Sequence, residues 1–245
     1  MKKLPSLLAK QTILDAISEI KFDDAEDIEI LFSGTYNILK KQEWEFEEMP
    51  IMSLSPEIRK NDETFRVAPH YKFNKNNINI FIGPSLLAFS LSGLKSYKGW
   101  DNYRSDLNTI LSDLKDVFFH LNIKQVSMQY IDFFKDLNIF DKLEITIEDE
   151  IFTSLYADIV NDKKYTRSFI FGDKHITTNI DNNVALSFNN SEEVVKGSII
   201  DIEIAKTTLS NDLILEFDDI HENIKKLFFE LLKDDFIVSL NPEYK

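Results

Sequence analysis

Two stretches of this chain, 117 residues apart, carry the same helical pattern, and that repetition restricts the possible folds more than any other feature. From Asp101 to Phe119, apolar residues recur at Tyr103, Leu107, Ile110, Leu111, Leu114, Val117 and Phe118. From Asp218 to Phe236 they recur at Ile220, Ile224, Leu227, Phe228, Leu231 and Leu232. Spacings of three and four put each set on one helix face, and the acidic residue opening each stretch suits the positive end of a helix dipole. Shifting the first stretch lays Tyr103, Leu107, Ile110, Leu111 and Leu114 on Ile220, Ile224, Leu227, Phe228 and Leu231.

Outside these helices the dominant period is two. Glu43 to Glu47 alternates strictly, which turns Trp44 and Phe46 inward and three carboxylates outward. Phe65 to Phe73 reads the same way, with Arg66, His70 and Lys72 sharing the polar face. Ile78 to Ile82, Leu86 to Ser92, Gln125 to Phe134, Thr166 to Phe171, Val184 to Phe188 and Ser198 to Ala205 also read as strands, and Gly83-Pro84 predicts a hairpin. Weaker helical patterns cover Asp24 to Leu39 and Glu148 to Asn161, while Ile13 to Phe22 fits either a helix or a strand. No Pro-, Gly- or Ser-rich linker divides the chain. The expectation is one globular unit of two repeat halves, 1–122 and 123–245, each a strand, a helix, about four strands and a helix. That is an α+β fold, an antiparallel sheet with long helices on one face. In shape it resembles the saddle-shaped sheet of the TATA-box-binding-protein-like folds, and such a resemblance carries no function with it.

Composition excludes several functions. With 43% hydrophobic and 12% aromatic residues, the 245-residue chain can bury a real core. It has no Cys, so disulfides, thiolate metal sites and Cys nucleophiles are all ruled out. A net charge of −14 disfavours generic nucleic-acid binding and anionic membrane surfaces. The N-terminus begins like a signal peptide, but Lys10-Gln11 interrupts it before an adequate apolar core forms. No stretch approaches the length of a membrane helix. The sequence reads as a soluble cytoplasmic protein. Walker A, dinucleotide-binding, zinc-protease, EF-hand and nucleophile-elbow motifs are all missing, and no cofactor is expected.

Several stretches resemble a sporadically distributed family of uncharacterised bacterial proteins of about this length. They are Ile13 to Phe22, the Gly-Pro-Asn/Ser-Leu-Leu element at Gly83-Pro84-Ser85-Leu86-Leu87, the Tyr-x-Gly-Trp element at Tyr97, Gly99 and Trp100, Met128-Gln129-Tyr130-Ile131-Asp132, and the closing helix from Ile220-His221 to Lys233-Asp234-Asp235. The resemblance favours the strand reading of Ile13 to Phe22 and implies no activity. Where the family pattern has arginine, this chain has Lys21 and Gln129. The patchy distribution suggests bacterial defence or toxin–antitoxin loci.

Candidate sites follow from the strand faces. Arg66, His70 and Lys72, with Gln129 from another strand, form the candidate ligand-binding set, suited to an anion. Asp201 and Glu203, at i and i+2 on one strand face, are the metal candidates, and Lys206 three residues beyond Glu203 points to the other face. The plainer reading of that strand is a half-buried element with a solvated acidic side. His120, His175 and His221 have no metal-ligand spacing, and His221 reads as a surface or capping residue. Gly99-Trp100 reads as structural, the Gly turning the chain and the Trp anchoring the helix to the sheet. Glu43, Glu45 and Glu47 have the geometry for nucleic-acid mimicry. The function expected is a non-enzymatic binding component with a protein partner or a second copy of itself. The alternatives are a metal-dependent enzyme acting on nucleotides or nucleic acid, and a small-molecule sensor with an apolar cavity between helices and sheet.

Overall fold

The computed structural model describes residues 3–23, 28–118, 120–144, 163–187 and 194–244. Its strands are β1 (Leu7–Leu8), β2 (Ile13–Phe22), β3 (Glu45–Glu48), β4 (Tyr71–Lys75), β5 (Ile78–Gly83), β6 (Leu86–Ser92), β7 (Ile123–Lys135), β8 (Lys164–Phe171), β9 (Lys174–Ser187), β10 (Val194–Lys206) and β11 (Pro242–Glu243). Its helices are α1 (Ile28–Lys41), α2 (Pro56–Asn61), α3 (Glu63–Arg66), α4 (Trp100–Asp113), α5 (Lys115–Phe118), α6 (Leu213–Leu231) and α7 (Asp234–Ser239).

Nine strands form one antiparallel sheet in the order β3-β4-β5-β6-β2-β7-β10-β9-β8. The order is mirrored about the central β2/β7 pair: β6 and β10 lie next, then β5 and β9, then β4 and β8. β3 has no counterpart among the described residues, so the second half shows three strands after its first rather than about four. A two-residue ribbon of β1 with β11 brings the two ends of the chain together.

The strand form of Ile13 to Phe22 follows from its burial. Ala16, Ser18, Ile20 and Phe22 are buried, while Ile17, Glu19 and Lys21 between them are not, which is a period of two. All three long helices pack on the face that carries these buried residues. The Tyr103 ring meets Phe89 edge-on at 5.0 Å, and its hydroxyl lies 2.9 Å from Ser18 Oγ. Phe32 of α1 stacks on Tyr71 at 4.0 Å. Helix α6 lies against β7 and β10, burying Phe217, Ile220 and Ile224 with Ile200, Ile202 and Ile204. Three of the five related pairs are used alike: Tyr103 and Leu107 of α4 and Leu114 just past it are buried, as are Ile220, Ile224 and Leu231 of α6. In the other two, Ile110 is buried and Leu227 half-buried, and Leu111 is half-buried and Phe228 buried.

Several expectations are corrected. Phe65 to Phe73 is not one strand. Arg66 belongs to the short helix α3, whose start is capped by Asp62 accepting from the Thr64 amide at 2.8 Å, and the strand begins only at Tyr71, after Pro69. Glu43 sits in a turn at φ 64°, so the alternating strand is limited to Glu45–Glu48. Its parity still holds: Trp44 is buried, and Phe46 packs against Phe32 and Tyr36. The last long helix starts at Leu213, ahead of Asp218, because the Asp212 carboxylate accepts from the Ile214 and Leu215 amides at 3.0 and 3.3 Å. The helix read at Glu148 to Asn161, the acidic residues 24–27 and Phe188 lie outside the described residues. Among those that are described, no helix is long and apolar enough to cross a membrane.

Candidate functional site

Among the described residues, none of the long helices packs on the opposite sheet face, and at the end of β5 the Ala68 carbonyl lies over Gly83. Gln129, Asp201 and Glu203 meet at the centre of this face, since Glu203 pairs with Gln129 across β10 and β7. Gln129 Nε2 donates to Asp201 Oδ1 at 2.8 Å, and Asn179 Nδ2 donates to Oδ2 at 3.2 Å. Both oxygens of Asp201 are therefore held by amides. Glu203 is pushed above the usual carboxylate range, first by burial and then by Glu19 and Asp201. On the neighbouring strand β2, burial likewise raises Asp15 despite hydrogen bonds from Ser90 and Ser92. Lys21 lies near these acids, 3.6 Å from Glu19. Among the described residues, no group of three or more His, Asp or Glu is arranged to hold a metal ion.

The remaining predicted residues do not join this set. Lys72 shares the face but stands on β4, four strands from Gln129 or roughly 19 Å at ordinary strand spacing, where it pairs with Glu47 at 3.6 Å. His70 is buried, not surface-exposed. The Phe65 backbone is close, yet neither ring nitrogen makes a hydrogen bond of acceptable geometry, and burial followed by the nearby Arg59 lowers its pKa. Lys206 does point to the helix side, as its spacing implied, where it meets Glu216 at 2.6 Å.

A second cluster lies on the helix side, and sequence reasoning missed it. Tyr97 Oη is 3.3 Å from Tyr130 Oη, which is 3.1 Å from His221 Nδ1. The imidazole stacks flat on Trp100 at 4.3 Å and 6°. Trp100 Nε1 donates to Asp218 at 2.9 Å, and Arg104 grips the same carboxylate through Nε and Nη2 at 2.7 and 2.9 Å. Trp100 therefore anchors α4 to α6 and not to the sheet; Gly99, at φ 94°, makes the turn that aims it. His221 is buried in the third turn of its helix, which corrects the surface reading.

Beside these rings Asp132 lies at 4% exposure, with Oδ1 accepting from Thr12 Oγ1 at 2.5 Å. Together with Leu8, Ile13, Ile224 and Phe228, these groups line a cleft under the N-terminal segment. Three of the stretches singled out in the sequence, around Tyr97, Tyr130 and His221, converge here. One signal was available: Asp132 shares the inward parity of Met128 and Tyr130, an acid in an apolar register. The partners that make it a site come from β7, α4, α6 and the N-terminus, which no local pattern connects.

Burial pushes Asp132 up to about 7 and holds His221 down to about 3. Their effects on stability oppose each other. Asp132 binds its proton more tightly folded than unfolded, so its contribution is full below its ordinary 3.8 and is lost as pH rises towards 7. His221 binds its proton less tightly when folded, so its contribution is full above 6.5 and is lost as pH falls towards 3. Between about pH 4 and 6.5 the two slopes cancel, each being about 1.4 kcal/mol per pH unit. Asp132→Asn is expected to unmask a stability that rises with pH over this window, and His221→Gln one that falls. Urea denaturation at several pH values reads both, and two parallel curves would refute the assignment.

Compared with known proteins, the chain matches no protein-family model, and no curated protein is significantly similar to it.

Proposed function

We propose that the chain is a non-enzymatic binding component that docks a basic protein partner on the sheet face opposite the long helices. What supports this is the crowding of Asp15, Glu19, Asp201 and Glu203 on β2 and β10, on either side of β7, with Lys21 as the nearby cation. Like charges gathered on a half-buried surface oppose folding, so they gain most from a cationic group brought from outside. The outer strand β3 adds Glu45 and Glu47 in the same facing parity. The candidate anion set of Arg66, His70 and Lys72 takes no part in this reading, whose partner is a cationic protein surface.

The test combines stability with binding. Glu203→Gln is expected to leave stability unchanged or raise it by up to about 1 kcal/mol, because it removes a charge that burial and its neighbours already disfavour. The same change combined with Glu19→Gln should weaken capture of the native-cell partner on the order of tenfold and flatten its salt dependence. Cross-links from that partner mapping to the helix side, or binding unchanged in the double variant, would refute the reading.

A further inference from the structure

The helix-side cleft is separated from the docking face by the full thickness of the sheet, and its chemistry differs. Its enclosed space is small, about 80 Å³, and it opens to solvent at its mouth, so it suits only a small ligand whose body can extend towards the opening. Its walls are mainly apolar, supplied by Ile13, Ile224 and Phe228 among others, and its one acid is Asp132. Of the Asp132 oxygens, Oδ1 accepts from Thr12, and among the described residues no donor reaches Oδ2. No Lys or Arg pairs with it among the described residues. Lys225, on the cleft wall, is turned to Glu222 at 3.6 Å. A carboxylate so placed lacks both a counter-charge and part of its hydrogen bonding, a costly arrangement that a ligand can complete.

The neighbouring groups narrow the ligand's chemistry. The hydroxyls of Tyr97 and Tyr130 can accept hydrogen bonds as well as donate them. His221, neutral through burial, brings no competing positive charge. An anionic ligand would meet Asp132 with only Lys225 to offset it. An ammonium group instead supplies the missing charge and three N–H donors. We propose that this cleft binds a small primary amine, its ammonium paired with Asp132 and its apolar body lying against Ile13, Ile224 and Phe228. The site is independent of the docking face, so either can stand without the other.

The experiment compares 2-phenylethylamine with its neutral counterpart 2-phenylethanol by calorimetry at pH 8, on the full chain and on Asp132→Asn. The wild type is expected to bind the amine at least about tenfold more tightly than the alcohol, as a charge-assisted bond should. Asp132→Asn is expected to erase that preference while keeping the alcohol. Equal binding of the two compounds, a preference that survives Asp132→Asn, or binding of neither overturns the proposal. Should the variant fail to fold, the wild type decides by its pH dependence. Amine affinity should rise roughly tenfold from pH 6 to pH 8 as Asp132 ionises, with the alcohol unaffected. Within the cleft Tyr97, Tyr130, His221 and Lys225 are the other titratable groups. A flat amine profile overturns the proposal.

Discussion

Replacing Lys206 by methionine is expected to cost the fold about 3–5 kcal/mol, the usual penalty for leaving one partner of a buried ion pair alone. Lys206 leaves the end of β10 on the helix side and meets Glu216 at 2.6 Å, Asp219 at 3.3 Å and Asp173 at 3.6 Å. Glu216 is 6% exposed and also accepts from the Ser210 amide at 2.7 Å. Burial alone would raise its pKa; the bonds from Lys206 and Ser210 reverse that and hold it at about 2. The pair ties the start of α6 to the sheet, so its loss should destabilise the helix that supplies His221 and Ile224.

The pH dependence gives this prediction a signature that simple loss of packing lacks. In the wild type Glu216 is depressed, so its contribution is full above its ordinary 4.5 and is lost as pH falls towards 2. Lys206 is raised to about 12, so its contribution holds below 10.5 and is lost above that. Without Lys206 the buried Glu216 prefers its proton. The gap between wild type and variant should therefore shrink as pH drops below about 4.5. Adding Glu216→Gln to the methionine variant should recover much of the loss, since no unpaired charge then remains. Urea midpoints at pH 7 and pH 3 measure both effects, and a gap independent of pH would reduce the pair to a packing contact.

Gly197→Ala is expected to cost about 3 kcal/mol, at the upper end for overpacking a closed core. Gly197 lies on β10 between β7 and β9, where the β9 pairing shifts register before Ile199. A Cβ there would run into the Phe134 carbonyl oxygen and the edge of the Phe133 ring. Backbone cannot rotate out of the way as a side chain can, so β10 must move off β7. For a chain of this size the expected loss is roughly 10 °C in melting temperature. Gly172 provides the control. It has φ +62° in the β8–β9 turn with nothing within 4 Å of a built Cβ, so alanine there should cost only about 1 kcal/mol. If the two substitutions proved equally damaging, the close approach at Gly197 would not be the cause.

Legibility differed sharply between the fold and the candidate site. Leu86–Ser92 was read to the residue because its ends coincide with Pro84 and Gly93, breakers that act locally. The shared period of α4 and α6 was visible because burial on a helix depends on spacing alone. Phe65 to Phe73 misled because alternation in Phe65, Val67 and Tyr71 was accidental, and Asp62 capping a short helix decided the matter. His70 and His221 misled for a related reason. A histidine's surroundings come from other elements: Trp100 and Tyr130 enclose His221, and Arg59 of α2 lies near His70.

The sequence by itself determined the α+β class, the antiparallel strands, the single helical face and the inward or outward parity of most strand residues. Each of these depends on a period of two or 3.6 that a short window contains. Tertiary structure alone decided which carboxylates gather on one face, and that Asp132, Tyr97, Tyr130 and His221 share a cleft. It also placed Lys206 beside Glu216. Those pairings depend on the order of strands in the sheet and on which helix crosses which strand, long-range facts set by the summed packing of the core.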